Sequence, residues 1–307
     1  MSTKKTFWCF LLIVIGFVAC NSNTVKDERD SPKQGTIYIS VDESFKPVIE
    51  EQIKVYESTF PNANIIASYK SEAECFRDLQ KDSTRLIIVA RGLNEEEQDY
   101  YEKKLRFRAQ FDLIAYDAVA VIVNNKARDS VFTIDNLQEI LSGKSAMEAV
   151  MDGKNATSTV RYLKDSILKN QPFGKNVVAA KSSEDVVKVI AEKQNAIGFV
   201  GLNWIGDNYD EKQQQQLKKV KLGLVECVRC VEKGFFAKPS QASISYAQYP
   251  LARPLYYILK ENTSGLGTGF TNFMAIERGQ LIFRRSFLVP AKMNFNKRKS
   301  NIKDQDL

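Results

Sequence analysis

Three consecutive hydroxyl residues, Thr157-Ser158-Thr159, open a stretch of helical spacing that contains Tyr162 and Leu163. Hydroxyls at a helix start can cap it by accepting from free N–H groups of the first turn. They can also donate to an anion held at that end, where free N–H groups and the helix dipole favour negative charge. Ser44, in the turn Val41-Asp42-Glu43-Ser44-Phe45-Lys46-Pro47, has the same two uses. Arg91 follows the apolar run Leu86-Ile87-Ile88-Val89-Ala90. An arginine at the C-terminal end of a strand can clamp an oxyanion through two parallel hydrogen bonds. A salt bridge to Glu95, Glu96 or Glu97 is its alternative use. Binding a desolvated oxyanion requires many such donors together, because leaving it without them is costly.

Other chemistries are excluded or weakened by composition. The 307 residues contain no histidine, which removes Ser-His-Asp and Cys-His catalysis, His-ligated zinc and an imidazole switch. No nucleophile stands beside a base, so no enzymatic activity and no cofactor or metal are expected. Cys227-Val-Arg-Cys230 has redox-motif spacing without the flanks of a thioredoxin motif, and in an exported protein it permits a local disulfide. The formal charge of +7 falls to +5 without Lys4 and Lys5, since residues 1–19 contain no acid. That mild basic excess is compatible with an anionic ligand, and the basic tail alone would account for it. The dispersed charges and absence of a binding motif argue against nucleic acid.

The ends read as export and tethering signals. Lys4 and Lys5 precede an apolar stretch, residues 7–19, too short to span a bilayer, which needs about 20 residues, and suited to a signal peptide. It ends Phe17-Val18-Ala19-Cys20, which resembles a bacterial lipobox, so Cys20 is the expected lipidation site. Residues 20–35 read as a polar tether, residues 293–307 as a basic polar tail. No other segment is long and apolar enough to cross a membrane. The expected product is an exported monomer, lipid-anchored to the membrane and facing the periplasm or the cell exterior.

Short apolar runs alternate with amphipathic stretches, the pattern of an α/β protein with mainly parallel sheet. Strands are expected at residues 36–40, 65–68, 86–90, 196–200, 219–225 and 255–259, with a further one over 113–124 that turns or bends near Tyr116-Asp117. Helices are expected over 47–60, from Ser71 (a capping box with Glu74) to Leu79, after Asn94, after Thr133, over 158–169, and from Ser182 with Asp185 through Val189. A last helical region follows Gly265, Gly267 and Gly269. The glutamines at 213–216 read as a solvated loop or helix end.

Five stretches, in order, resemble the phosphate-binding proteins of ABC uptake systems, within the type II periplasmic-binding-protein superfamily. Residues 114–124, IAYDAVAVIVN, are similar to that family's A-Y-D-G-(I/V)-A-V-I-V-N segment. LQEILSGK at 137–144 resembles L-x-x-I-F-S-G-K, NAIGFVG at 195–201 resembles A-I-G-Y-V-G, and YPLARPLY at 249–256 resembles Y-P-L-S-R-P-L-Y. Gly279-Gln280 and Val289-Pro290 fall where the family has its C-terminal G-Q and V-P.

The resemblance implies an α/β fold of two lobes with mixed, mainly parallel sheets and a ligand cleft between them. Residues 36–115 plus 250–292 would form one lobe and residues 118–245 the other, with crossings near Tyr116 and Tyr249–Arg253. It implies capture of a small oxyanion, phosphate foremost, for an ABC permease and its ATPase. Ser44 stands where the family has a ligand-binding threonine in G-S-x-T-x-x-P, and Thr157, Ser158 and Thr159 where it has S-G-T. Arg91 stands where it has Ser-Asp or Ser-Arg. The family's glycine and first serine are missing from the first loop, where Asp42 and Glu43 would oppose an anion. Asp152-Gly153-Lys154 replaces a frequent arginine, for which Arg161 or Lys154 are substitutes. Asp117 and Asp42 are the candidate acceptors for the proton of monohydrogen phosphate. Molybdate, tungstate or sulfate as ligand, or a sensor or surface-assembly role, are the alternatives.

Overall fold

The computed structural model describes residues 30–104, 106–153, 157–207 and 209–293. The signal-peptide and lipidation assignments, Cys20 included, lie outside the described residues, as do Lys154 and most of the basic tail.

The first half begins with β1 (Gln34–Asp42), α1 (Lys46–Thr59), β2 (Asn62–Lys70), α2 (Glu72–Leu79), β3 (Thr84–Val89) and α3 (Glu95–Lys104). Strand β1 pairs in parallel with β2 and β3. Ser71 and Glu74 form the expected capping box at α2, and the Asn94 side chain accepts from Glu97 N at α3. Strand β3 is buried on both faces, which is why it reads as an unbroken apolar run.

The long strand β4 (Gln110–Asn124) then carries the chain into the second half. A turn or bend near Tyr116-Asp117 is expected from the sequence, but the backbone stays extended because β4 changes partners there instead. Its first part pairs antiparallel with β12 (Ala252–Leu259), and its second part pairs antiparallel with β8 (Ala196–Gly201). The intervening elements are β5 (Val131–Phe132), α4 (Ile134–Leu141), β6 (Glu148–Asp152), α5 (Ser158–Ser166), β7 (Val177–Ala180) and α6 (Ser183–Glu192). Helix α5 stops short of the expected Lys169 because Lys169 and Asn170 take positive φ.

After β8 come α7 (Glu211–Leu217), β9 (Val220–Leu222), β10 (Leu224–Glu226), β11 (Phe236–Ala237) and α8 (Gln241–Ser245). The single strand expected over 219–225 is thus two, split at Gly223. The glutamine run lies in α7. Helices α9 (Leu266–Ala275) and α10 (Glu277–Arg285) and the short β13 (Val289–Pro290) follow β12.

The sheet order is β2-β1-β3-β12-β4-β8-β6-β7. One core gathers residues such as Ile37, Ile88, Ile114, Leu255 and Phe270. A smaller cluster of Cys75, Leu79, Ile87 and Val89 backs this first core, and the second large core gathers Val119, Val150, Leu163, Ile197 and Leu251. The chain passes between them twice, through β4 and through the segment before β12. The Tyr249 hydroxyl fastens these passages by donating to Val119 O at 2.9 Å. The parallel strands β1, β6 and β8 end at Asp42, Asp152 and Gly201, and ligands of open α/β sheets lie beyond such C-terminal strand ends.

Candidate functional site

A buried polar cluster lies between the two cores. Asp42 closes β1 and caps the tight turn Glu43–Phe45, its Oδ1 accepting from Ser44 N at 2.9 Å. Its Oδ2 accepts from Ser158 N at 3.0 Å, on the first residue of α5. Thr157 is the N-cap of α5: its Oγ1 accepts from Val160 N at 3.2 Å and donates to Asp152 Oδ1 at 2.9 Å. Capping therefore occupies Thr157, while Ser158 and Thr159 turn their hydroxyls toward Ser44. The Ser44 Oγ lies 3.2 Å from Thr159 Oγ1 and 3.4 Å from Ser158 Oγ, and donates to Asp152 Oδ2 at 3.3 Å. Ser44 O accepts from Asn203 Nδ2 and Trp204 Nε1 at 2.9 and 3.0 Å. This approach of backbone needs Gly201, since a Cβ there would meet Ser44 O and Asn203 Nδ2 at 2.9 Å.

Arg253 is the cationic centre. It is fully buried, and its Nη1 donates to Ser158 Oγ at 2.9 Å and Thr159 Oγ1 at 3.2 Å. Nε and Nη2 both donate to Asp117 Oδ2, at 3.1 and 2.8 Å, and the guanidinium lies over the Phe45 ring. Asp117 Oδ1 accepts from Leu202 N at 3.2 Å. Burial raises the Asp117 pKa, opposed by the Arg253 charge. Asp117 thus orients Arg253 through Oδ2, while its Oδ1 is held by the backbone of Leu202.

Carboxylates complete the cluster. Glu43 accepts from Ser183 N at 3.2 Å and Ser183 Oγ at 2.8 Å, at the first turn of α6. Ser183 Oγ is also 2.7 Å from Asp152 Oδ2. One hydroxyl proton cannot serve both carboxylates at once, so Glu43 and Asp152 compete for it. Burial, then the Asp152 charge, raises the Glu43 pKa to about 7. Burial, then the Glu72 charge, raises that of Asp42 to about 6. Arg161 pairs with Glu72, whose Oε1 also accepts from Ala90 N at 2.9 Å.

Four of the candidates from sequence, Ser44, Thr157, Ser158 and Thr159, are therefore brought together, and Asp117 reaches them through Arg253. Arg91 is not joined to them by a hydrogen bond. Its two Nη atoms donate to Glu97 at 2.7 Å each and it stacks on Phe76, which is the alternative salt-bridge use. Arg161 is committed to Glu72 and Asp165. Arg253, Asp152 and Ser183 were missed as site residues. Arg253 lay in the recognised crossover, and an arginine between apolar residues and a proline there was the available signal. Asp152 ends β6, whose apolar run Ala149-Val150-Met151 is too short to declare a strand. Cys227 and Cys230 are joined as a disulfide, and Cys75 is buried and free.

The architecture, with its polar cluster at the strand ends between two cores, is the mixed α/β fold of type II periplasmic-binding proteins. The chain belongs to the PBP superfamily, whose domain it matches over residues 27–278. It is 22% identical over 273 residues to a phosphate-binding protein PstS of Staphylococcus saprophyticus, covering 84% of this chain and 81% of that one. A putative phosphate ABC transporter substrate-binding protein from Clostridium perfringens, with bound phosphate, superposes with a TM-score of 0.67 at 18% identity, over 84% of this chain and 100% of that one. An ABC-type phosphate transport receptor from Vibrio cholerae gives 0.62 at 16% identity, over 83% and 100%.

Proposed function

We propose that the chain is an extracytoplasmic binding protein, not an enzyme, that captures a small oxyanion, phosphate foremost, and delivers it to an ABC permease and its ATPase. The observation that carries this is the convergence of buried Arg253 with the hydroxyls of Ser44, Ser158 and Thr159 at the N-terminus of α5. A guanidinium, hydroxyls and helix-end N–H groups are the donors a desolvated oxyanion needs. The names of the relatives in Staphylococcus, Clostridium and Vibrio support phosphate as the ligand. Residues 36–115 plus 250–292 and residues 118–245 act as two lobes that close on it about the crossings. The protein works as a monomer held to the membrane by a lipid on Cys20.

Calorimetry of the protein against phosphate, sulfate and molybdate is the direct test. Saturable phosphate binding that exceeds the other two is expected. Heats from none of the three would end the oxyanion reading, and tighter molybdate or sulfate binding would reassign the ligand. A sensor or assembly role has one observation in its favour, the three carboxylates Asp42, Glu43 and Asp152 among the donors.

A further inference from the structure

The cluster holds five carboxylates, Asp42, Glu43, Glu72, Asp117 and Asp152, and two guanidinium groups. Arg253 is taken by Asp117 and Arg161 by Glu72. The other three carboxylates are satisfied by backbone and hydroxyl donors from across the cluster. Asp42 holds the N–H of Ser158, and Glu43 holds the N–H and hydroxyl of Ser183. These are the first residues of α5 and α6, and their donors are the kind an oxyanion in the cleft would use. Both acids sit in the tight turn between β1 and α1.

We propose that Asp42 and Glu43 stand in for the oxyanion: their carboxylates occupy the α5 and α6 donors, an anion enters only by displacing them, and these two residues set the affinity and selectivity of the cleft. This rests on the cleft being an oxyanion site. Two consequences follow from the geometry. The donor network is complete in the protein itself, so an incoming anion gains little that the carboxylates do not already supply. Its charge must also be accommodated beside Asp152, whose Oδ2 lies 2.7 Å from Ser183 Oγ and 3.3 Å from Ser44 Oγ. An anion that fits must therefore push the loop 42–44 outward.

The test is phosphate calorimetry on the full chain carrying Asp42→Ser with Glu43→Ala, and separately Asp42→Asn with Glu43→Gln, which keeps side-chain shape should the first variant fold poorly. Amide hydrogen exchange at Ser158 and Ser183 is measured on each without and with phosphate. The expected result is phosphate binding at least tenfold tighter in both variants. Both amides should exchange faster in the Asp42→Ser, Glu43→Ala variant and regain protection with phosphate, whereas the unsubstituted chain protects them throughout. Equal or weaker binding in variants of a chain that itself binds phosphate overturns the stand-in role and leaves the oxyanion site intact. Binding by neither chain nor variants overturns both.

Discussion

Arg253→Met tests whether the buried ion pair organises the site. Arg253 and Asp117 are both fully buried, and the substitution strips Asp117 Oδ2 of its donors at 2.8 and 3.1 Å. Removing one partner of such a pair costs about 3–5 kcal/mol, because the other charge stays buried and unpaired. The Ser158 and Thr159 hydroxyls lose a donor too, but each still has Ser44 Oγ within 3.4 Å, so they add little. Asp117 can escape by protonation, for burial already raises its pKa, and losing the guanidinium raises it further. A carboxyl whose folded pKa lies above its unfolded value contributes stability fully below the unfolded pKa and loses it as pH rises through the folded one. The deficit of the variant should therefore be larger at pH 8 than at pH 5. Urea unfolding of the parent, Arg253→Met and the double variant with Asp117→Asn, at both values, measures this. The double variant should recover much of the loss, since the side-chain amide oxygen introduced by Asp117→Asn can still accept from Leu202 N. A loss under about 1 kcal/mol at pH 8, far below the usual cost, or a double variant that loses more than the single, would refute the reasoning.

Replacing Ser158 and Thr159 together with alanine should weaken phosphate binding at least tenfold, since each hydrogen bond to a charged acceptor contributes about 1.5–3 kcal/mol. The Thr157 cap stays in place, so a variant with parental affinity would make both hydroxyls structural. Asp42 and Glu43 have folded pKa values raised to about 6 and about 7, so their contribution is full below the unfolded values and is lost as pH rises to about 7. For Asp42, whose pKa rises from 3.8 to about 6, the loss is on the order of 3 kcal/mol, because a tenfold change in proton affinity is worth about 1.4 kcal/mol. Denaturation midpoints of the parent should accordingly fall, relative to Asp42→Asn with Glu43→Gln, between pH 4 and pH 8, and parallel curves would contradict the assignment. Cys20→Ala should release the protein from membranes or leave an unprocessed precursor, and unchanged attachment and size on a gel would exclude the lipid anchor.

What the sequence determined by itself was local. The buried β3 announces itself as an unbroken apolar run, and the caps at Ser71, Thr133, Thr157 and Ser182 each act on an N–H three residues on. Such signals survive in a linear string because donor and acceptor are neighbours. The donor cluster was legible only in part: hydroxyls before a helix serve capping as readily as binding, and Ser44 and the Thr157–Thr159 hydroxyls stood out only through their resemblance to the family's G-S-x-T-x-x-P and S-G-T motifs. Tertiary structure decided the rest. It set Arg253 against Asp117, 136 residues away, and Ser158 against Asp42, 116 away. It also sent Arg91 to its neighbour Glu97 instead, where a bidentate local partner leaves no charge for the cleft. The physical reason is that a polar side chain takes whichever partner the packing of the two cores brings within hydrogen-bonding reach, and that distance is set by β4 changing partners midway. No pattern of residue types along the chain encodes that distance.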